Sequence, residues 1–447
     1  MAFSEGKRKL VHMSMLGFAL LLRWLDWRGA ALMAFAAVVY NLFVLPRLHG
    51  EALVRHGERG ASRSWPIVYY AISVLILILV FPTRLHVAAA GWAVMAMGDG
   101  FAGLMGRRFG TRKLSWNPAK SVVGTWSFVV AGSLAAWGMS LWVSAGAVPA
   151  AWLAAAAFLA ALAAGLVESL PTGIDDNLTV PLVAGAVDFL VLSVRPEALD
   201  TRLLVHTAGG LCLAAGMGLL AWAAKSVDAS GFVAGLVVGG AVFTGLGWPG
   251  FIVLFAFFFL GSLATKVGYK EKAARGIAQD KGGRRGARNA VAKGTVGAVA
   301  ALAAALTPWG DLLRVAFAAS FATAAADTVS SEIGKRYGKT AYLATNFRRV
   351  EPGTEGAVSL EGTLAGIAGA ALLALVAWGA GLLSPAGAVA AGIAGVVGNY
   401  LESVAGSLVA GGHGQGQGLE NEVMNFFNTL VGAALGAAFF AAWRYLA

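Results

Sequence analysis

Carboxylates near the ends of apolar segments are the groups in this chain best suited to chemistry. Asp99 closes one long apolar run, and Glu168 lies near the end of another, followed by Asp175, Asp176 and Asn177. A carboxylate at the end of an apolar helix is costly and indicates a functional site. Oxygen ligands without histidine suit Mg²⁺, which proteins often bind through one or two carboxylates and nucleotide phosphates. The alternative, that Asp175 and Asp176 only cap a helix, stays open.

Cations and glycines follow Asp99 closely. Arg107 and Lys113 precede an Asn-Pro-x-Lys-Ser run that contains Asn117, Lys120 and Ser121. Glycines let the backbone approach phosphate, while cations and a helix N-terminus supply positive potential for it. A loop kept on the cytoplasmic side of the membrane by its positive charge would explain Arg107 equally well. It would not explain Asp99 or the order of the Asn-Pro-x-Lys-Ser run.

The same series of residues occurs a second time. From Asp99 and Asp327 onward the two copies align without a gap through two glycines, two adjacent cations and an aromatic residue, and each copy ends in a cluster of acids and amides. Such a series predicts two homologous modules, at residues 1–224 and 225–447. The matching pairs are Asp99 and Asp327, Gly106 and Gly334, Gly110 and Gly338, Ser121 and Ser359, and Glu168 and Glu402.

Composition places these modules in a membrane. The chain is 58% hydrophobic and 13% charged, whereas about 25% of the residues of an ordinary soluble domain are charged. Many apolar runs are long enough for a helix to cross the hydrocarbon. The predicted fold is an all-α, polytopic integral membrane protein of about fifteen helices in two parallel modules. The predicted spans are residues 10–22, 29–46, 65–82, 86–105, 121–143, 149–168, 178–194, 203–224, 231–247, 250–266, 290–307, 311–333, 357–381, 386–409 and 424–443.

Charge predicts the orientation of these spans. With the N-terminus inside, 27 of the 34 lysines and arginines fall on the cytoplasmic side. The first segment is short and could instead lie in the interface. All four motif loops then face the cytoplasm, so the modules are parallel, whereas an inverted repeat with a midplane site would indicate a transporter. We expect a protein of the cytoplasmic membrane with its active sites facing the cytoplasm.

The first module resembles the polyprenol kinase family, which includes phytol kinase and dolichol kinase. The resemblance covers residues 90–185 closely and implies a lipid-alcohol kinase that uses CTP or another nucleoside triphosphate with Mg²⁺. It rests on Gly98-Asp99-x-x-Ala102-x-x-x-Gly106-Arg107-x-Phe109-Gly110, Lys113-Leu114, Asn117-Pro118-x-Lys120-Ser121-x-x-Gly124-Thr125, Glu168, and Asp176-Asn177-Leu178-x-x-Pro181.

The second module resembles the phytyl-phosphate kinase family over residues 225–447. Glu355 and Ala357 stand where the family pattern has Asn and Gly, and Glu402 where it has Asp. The resemblance rests on Phe257-Phe258-Phe259-x-x-Ser262-x-x-Thr265-Lys266, Gly283-Arg284-Arg285-x-x-Arg288-x-x-x-Ala292-x-Gly294, Asp327-Thr328-x-x-Ser331-Glu332-Ile333-Gly334, Gly353-Thr354-x-Gly356-x-Val358-Ser359-x-x-Gly362, Glu402-Ser403-x-x-Gly406, and Asn421-x-x-x-Asn425.

Together the resemblances imply a bifunctional enzyme. The first module would phosphorylate phytol or a related isoprenoid alcohol, and the second would phosphorylate the isoprenyl monophosphate to the diphosphate, both within the bilayer and without a nucleic-acid partner. The expected catalytic residues are Asp99, Glu168, Asp327 and Glu402. Those expected to bind nucleotide or phosphate are Arg107, Lys113, Asn117, Lys120, Ser121, Lys335, Arg336, Arg348, Arg349, Thr354 and Ser359. Those expected to bind Mg²⁺ are Asp99, Asp176, Asn177, Asp327, Glu332, Asn421 and Asn425.

Two alternatives stay open at this point. Membrane cytidylyltransferases that act on a lipid phosphate use related aspartate sites in the membrane. A transporter or lipid scaffold is disfavoured by the parallel repeat and by polar loops on one side only.

Overall fold

The computed structural model describes residues 5–49, 64–171, 173–279, 281–351, 353–354, 356–410 and 418–446. The chain forms two compact units, Met1–Ser193 and Val194–Ala447. The boundary predicted at residue 224 lies one helix later than the division between the units. The intervening helix, Thr201–Ala223, packs on the helix that follows it.

The secondary-structure elements described in the first unit are all helical. A 3₁₀ segment follows the first helix at Met15–Arg23, and π-helical turns occur at Tyr40–Val44 and Val94–Asp99. The α-helices are α1 (Glu5–Ser14), α2 (Trp27–Val39), α3 (Leu45–His49), α4 (Trp65–Val80), α5 (Leu85–Ala93), α6 (Gly100–Phe109), α7 (Val122–Ser144), α8 (Ala150–Ser169) and α9 (Asp176–Leu192).

The centre of the first unit is the continuous span formed by α5, the π-turn Val94–Asp99 and α6. Small residues let neighbouring helices approach this span closely, and Val87–Ala96 are buried. An added Cβ at Gly91 would lie 2.8 Å from the carbonyl oxygen of Pro181 on α9. Asp99 closes the π-turn, a distortion that recurs at functional sites.

The second unit contains eight α-helices and three short strands among its described residues. A 3₁₀ turn at Pro196–Ala198 opens it, and another at Lys281–Gly283 precedes α13. The elements are α10 (Thr201–Ala223), α11 (Ala229–Lys266), α12 (Tyr269–Ala274), α13 (Ala287–Leu306), α14 (Gly310–Tyr337), β1 (Ala341–Leu343), β2 (Arg349–Val350), β3 (Ala357–Ser359), α15 (Leu360–Gly379), α16 (Pro385–Ala410) and α17 (Gly418–Leu446).

Helix α11 is a hairpin of two helical halves. The backbone of Gly247 has φ 58° and ψ −149°, outside the helical region. The ring of Phe251 lies 3.5 Å from the position of a Cβ added at Gly239, and a straight helix would separate these two residues by about 18 Å. The break therefore agrees with the predicted spans 231–247 and 250–266.

The centre of the second unit is α14, which packs against α11, α13, α15, α16 and α17. Val315–Ala326 are buried along its whole circumference. The spans that carry Asp99 and Asp327 are 72% and 78% buried, against at most 56% for the other candidate spans. Each unit thus places its key aspartate just beyond the buried stretch of its most buried span.

The loop between α14 and α15 forms a small antiparallel sheet in the order β2-β1-β3. Gly356, in the predicted phosphate-binding motif of this loop, has φ +69°, and a Cβ there would overlap the backbone of Ser407 on α16. The close packing of the loop on α16 therefore explains why glycine occurs at this position.

The all-α, membrane-spanning fold class is confirmed. Among the described residues, eleven helices are long and apolar enough to cross a membrane, and Trp65–Val80 is a shorter apolar helix. Large apolar side chains cover the outside of both units; Leu32 in the first unit is 69% exposed and Leu364 in the second 58%. Each of the fifteen predicted segments overlaps a helix, while the exact number of crossings stays a prediction.

Candidate active sites

Asp99 is bound by two basic side chains of α1. Lys9 Nζ lies 2.6 Å from Asp99 Oδ2, and His12 Nε2 lies 3.5 Å from the same oxygen. His12 Nε2 also lies 3.3 Å from the carbonyl oxygen of Met95, within the π-turn. The N-terminal helix therefore supplies a counter-charge to the carboxylate.

Lys120 joins the other two acids of this unit. Its ammonium group donates to Glu168 Oε1 and, at 3.2 Å, to Asp176 Oδ2. Although burial lowers the pKa of Lys120, the two carboxylates outweigh this effect and raise the pKa above its usual value. Lys120 therefore stays protonated at neutral pH.

The loop before α7 is built to hold Lys120 in place. Asn117 is buried; its amide nitrogen donates to the carbonyl oxygen of Ser169, and its oxygen accepts from the backbone of Ala119. Ser121 caps α7 by accepting from Gly124 N at 3.1 Å. Both residues, predicted to bind phosphate, thus position the lysine between them.

A cavity of about 720 Å³ opens beside these carboxylates. Its polar wall is formed by Lys9, Asp99 and the start of α9, where Asp175 accepts from the backbone and side chain of Asn177. Trp65 and Tyr69 form part of its apolar wall. The volume is within the range of about 300–1,000 Å³ that is typical of small-molecule sites.

The second unit repeats the pairing of aspartate with lysine. Lys293 on α13 lies 2.5 Å from Asp327 Oδ2 and donates to Thr328 Oγ1 at 2.7 Å. One turn beyond Thr328, Glu332 is paired with Lys272, whose side chain is 1% exposed. The predicted role of Glu332 in binding metal would require Lys272 to release it.

Glu402 and the amides of α17 form a second group near α14. Asn428 donates to Glu402 Oε2, and Asn425 donates to the backbone and side-chain oxygens of Asn421 at 2.9 and 3.2 Å. Helices α14, α16 and α17 pack pairwise. In the alignment of the two modules, Val358, directly before Ser359, stands at the position of Lys120.

The junction between the aspartate helix and the next helix has the same geometry in both units. Ser121 and Ser359 each accept from the amide three residues later at 3.1 Å. A Cβ added at Gly106 would lie 3.1 Å from Ser121 Oγ, and one at Gly334 would lie 3.2 Å from Ser359 Oγ. The aligned glycines therefore allow the same close helix contact twice.

The other predicted phosphate ligands lie nearer the surface. Arg107, Lys113, Arg348 and Arg349 have exposed side chains, and Lys335 is half-buried. Arg336 is ion-paired with Glu271 at 2.5 Å. Thr354 is exposed and donates to the carbonyl oxygen of Glu351. Their roles in binding phosphate stay predictions.

Sequence reasoning missed the basic partners of the aspartates. Lys9 and Lys293 count in the sequence only as positive charges of cytoplasmic loops, and the six histidines show no metal-ligand spacing that would single out His12. The partners lie far apart along the chain; Lys9 precedes Asp99 by 90 residues. Only the fold brings them together.

The carboxylate and amide oxygens of the candidate sites suit magnesium that binds together with a nucleotide. They suit less well an ion held by protein ligands alone. Within the described ranges, no group of three or more His, Cys, Asp or Glu side chains could hold an ion. Asp99 and Asp176 are instead paired with lysines. Proteins often hold Mg²⁺ through one or two carboxylates together with substrate phosphates, and this donor set satisfies that requirement.

Comparison with known proteins shows the family. Residues 212–433 match the family described as integral membrane protein DUF92. An uncharacterized membrane protein of Synechocystis, sll0875, is 43% identical over 201 residues, which cover 44% of this chain and 77% of the relative. The chain belongs to this family of integral membrane proteins. No solved structure matches it.

The chain is also similar to two chloroplast proteins of plants. Protein VTE6 of Arabidopsis thaliana chloroplasts is 37% identical over 251 residues, covering 55% of this chain and 72% of VTE6. A chloroplast protein of rice named probable phytol kinase 2 is 35% identical over 200 residues, covering 41% of this chain and 65% of the relative. Each of these alignments covers about half of the present chain.

Proposed function

We propose that the protein is a bifunctional isoprenoid kinase of the cytoplasmic membrane. The first unit converts phytol or a related isoprenoid alcohol to the monophosphate, and the second converts the monophosphate to the diphosphate. The observation that carries this proposal is the repeated pairing of an aspartate with a lysine just beyond the buried stretch of the most buried span of each unit. The name of the rice relative and the resemblance of each module support it.

In the first unit, the alcohol oxygen would attack the terminal phosphorus of a nucleoside triphosphate. The bond from that phosphorus to the bridging oxygen breaks, and the nucleoside diphosphate leaves. Phosphoryl transfer depends mainly on positioning and charge neutralisation, which Lys120 and Lys9 can supply. Because Glu168 is paired with Lys120, we assign it to orienting that lysine rather than to removing the alcohol proton. Asp99, Asp175 and Asp176 line the cavity. Of these we assign Asp99 to accept the proton, a role that requires Lys9 to release it.

In the second unit, an oxygen of the isoprenyl monophosphate would attack the terminal phosphorus in the same way. The attacking group is already ionised, so a base matters less and cations matter more. Lys293 and Lys272, beside Asp327 and Glu332, provide positive charge at this point.

We expect the reaction to use magnesium and to take CTP as the phosphate donor. Asp99, Asp176 and Asn177 would hold the ion in the first unit, and Asp327, Asn421 and Asn425 in the second. Bound there with the nucleotide, magnesium would neutralise charge on the phosphates. Arg107 and Lys113 in the first unit and Lys335, Arg348 and Arg349 in the second are the expected contacts of the nucleotide phosphates.

The test is a product analysis with the purified protein. The protein is incubated with phytol, farnesol or geranylgeraniol and each nucleoside triphosphate, and the lipid products are identified by mass spectrometry. We expect isoprenyl monophosphate and diphosphate together with nucleoside diphosphate. A nucleotide-linked lipid with release of pyrophosphate would instead establish a cytidylyltransferase and overturn the proposal.

A further inference from the structure

The second unit contains an apolar cavity that the catalytic groups described above do not use. Its volume is about 540 Å³, and its walls come from α10, both halves of the α11 hairpin, α13 and α14. Phe232, Phe251, Phe255 and Phe258 line it. Such a volume and lining are typical of a site for an apolar small molecule.

A buried guanidinium group stands at one end of this cavity. Arg285 is 7% exposed and lines the cavity together with Ser262 and Lys266. Among the described residues, Arg285 Nε and Ser262 Oγ are buried and have no hydrogen-bond partner. Leaving such groups unpaired costs about 1–3 kcal/mol each. The unsatisfied donors therefore indicate a ligand with an anionic, oxygen-rich head.

Arg285 is held in this position by its surroundings. Its backbone N donates to Ser226 O at 3.0 Å, and its carbonyl oxygen accepts from Asp228 N at 3.2 Å. The guanidinium carbon lies 5.6 Å from the ring centroid of Phe257. A Cβ at Gly261 would overlap the guanidinium group, so glycine at this position makes room for it.

The same end of the cavity adjoins the aspartate site. Burial lowers the pKa of Arg285 to about 10, and the charges of Glu332 and Asp327 act on it in the opposite direction. Gly294, which lines the cavity, is the neighbour of Lys293, the partner of Asp327. A head group bound at Arg285 would therefore lie within reach of the charges of Glu332 and Asp327.

We propose that this cavity binds the isoprenyl monophosphate, with the apolar chain between the phenylalanines and the phosphate on Arg285, Ser262 and Lys266. The proposal deepens the second step of the proposed function and rests on it for the identity of the ligand. It also accounts for two runs that the phosphate chemistry left unused, Phe257 to Lys266 and Gly283 to Arg288.

The first experiment measures binding without turnover. A geranylgeranyl monophosphate with a diazirine at its far end is crosslinked to the purified protein carrying Asp327→Asn, and the labelled peptides are identified. We expect labels on the cavity-lining residues between Ala214 and Phe259, and about tenfold weaker binding after Arg285→Gln because a charge-assisted contact is lost. Arg284→Gln is the matched control. It removes the same charge from an exposed side chain that does not line the cavity.

The second experiment fills the cavity without touching Arg285. A Cβ at Gly235, in the cavity wall, meets open space, and so does one at Gly216, which lies outside it. Gly235→Leu should weaken binding of geranylgeranyl monophosphate about tenfold and that of dimethylallyl monophosphate much less, whereas Gly216→Leu should affect neither.

Three results would overturn the inference. They are crosslinks outside the cavity, equal effects of Gly235→Leu and Gly216→Leu, and equal displacement of the probe by phosphatidic acid, which would make this a general headgroup site. A different result would show that the proposed function is wrong while the binding site is right. Crosslinking in the cavity by a protein that produces no diphosphate would contradict the second phosphorylation and leave the binding site standing.

Discussion

At the scale of single residues, the sequence identifies the acids of the candidate sites but not what neutralises them. Asp99, Glu168 and Asp327 stand out because a carboxylate is costly at the end of an apolar helix. Their partners Lys9 and Lys293 look like ordinary loop cations in the sequence. Which lysine meets which acid depends on how the helices pack, and a single sequence carries no signal for it.

Lys120 and Lys113 offer a direct test at this scale. Lys120 bridges Glu168 and Asp176, whereas Lys113 is exposed. Loss of a fixed cation at a developing phosphoryl charge costs on the order of 3 kcal/mol, roughly a hundredfold in rate. Lys120→Gln should therefore slow alcohol phosphorylation about a hundredfold, and Lys113→Gln should change it little. Initial rates at matched membrane expression check this; equal, mild losses would remove Lys120 from the site.

At the scale of elements, hydrophobicity predicts where helices lie but not how they bend or what their loops form. The break at Gly247 is foreseen, because two apolar spans meet there. The π-turn before Asp99 and the strands after α14 are not. Alternation of residues over only two or three positions is too short to predict a strand. The strands pair with one another, and their loop packs on α16 at Gly356.

The Gly247 hinge can be tested by stability. Its backbone conformation is one that almost only glycine adopts, and forcing another residue into it costs about 1–3 kcal/mol. Gly247→Ala should therefore lower the midpoint of thermal unfolding of the detergent-purified protein. At Gly216, a helical position with open space around an added Cβ, the same change should leave the midpoint unchanged or raise it slightly. A stabilising effect of Gly247→Ala would contradict the hairpin.

At the scale of the whole molecule, the repeat of motifs predicts two modules of the same orientation. The matched geometry at Ser121 and Ser359 supports a duplication within the chain. The division between the units at Ser193 could not be read from the sequence, because no Pro-rich or Ser-rich linker marks it.

Labelling from the two sides of the membrane tests the predicted orientation. In a Cys212→Ser background, single cysteines at Ser115 and Asn346, both exposed in loops after the aspartate helices, should react with an impermeant thiol reagent only from the cytoplasmic side. Cysteines at Ala147 and Ser384 should react only from outside, since their loops carry no lysine or arginine. Labelling of Ser115→Cys and Asn346→Cys from opposite sides would mean that the modules are inverted.

The central claim is that each unit holds one active site. Replacing each aspartate separately tests this claim most directly. The purified Asp99→Asn and Asp327→Asn variants are each supplied with isoprenoid alcohol or with isoprenyl monophosphate, and both phosphorylated products are quantified. We predict that Asp99→Asn abolishes phosphorylation of the alcohol yet still converts supplied monophosphate to diphosphate, while Asp327→Asn accumulates monophosphate. If either variant, still folded by its thermal unfolding profile, loses both activities, the account of two independent sites is wrong.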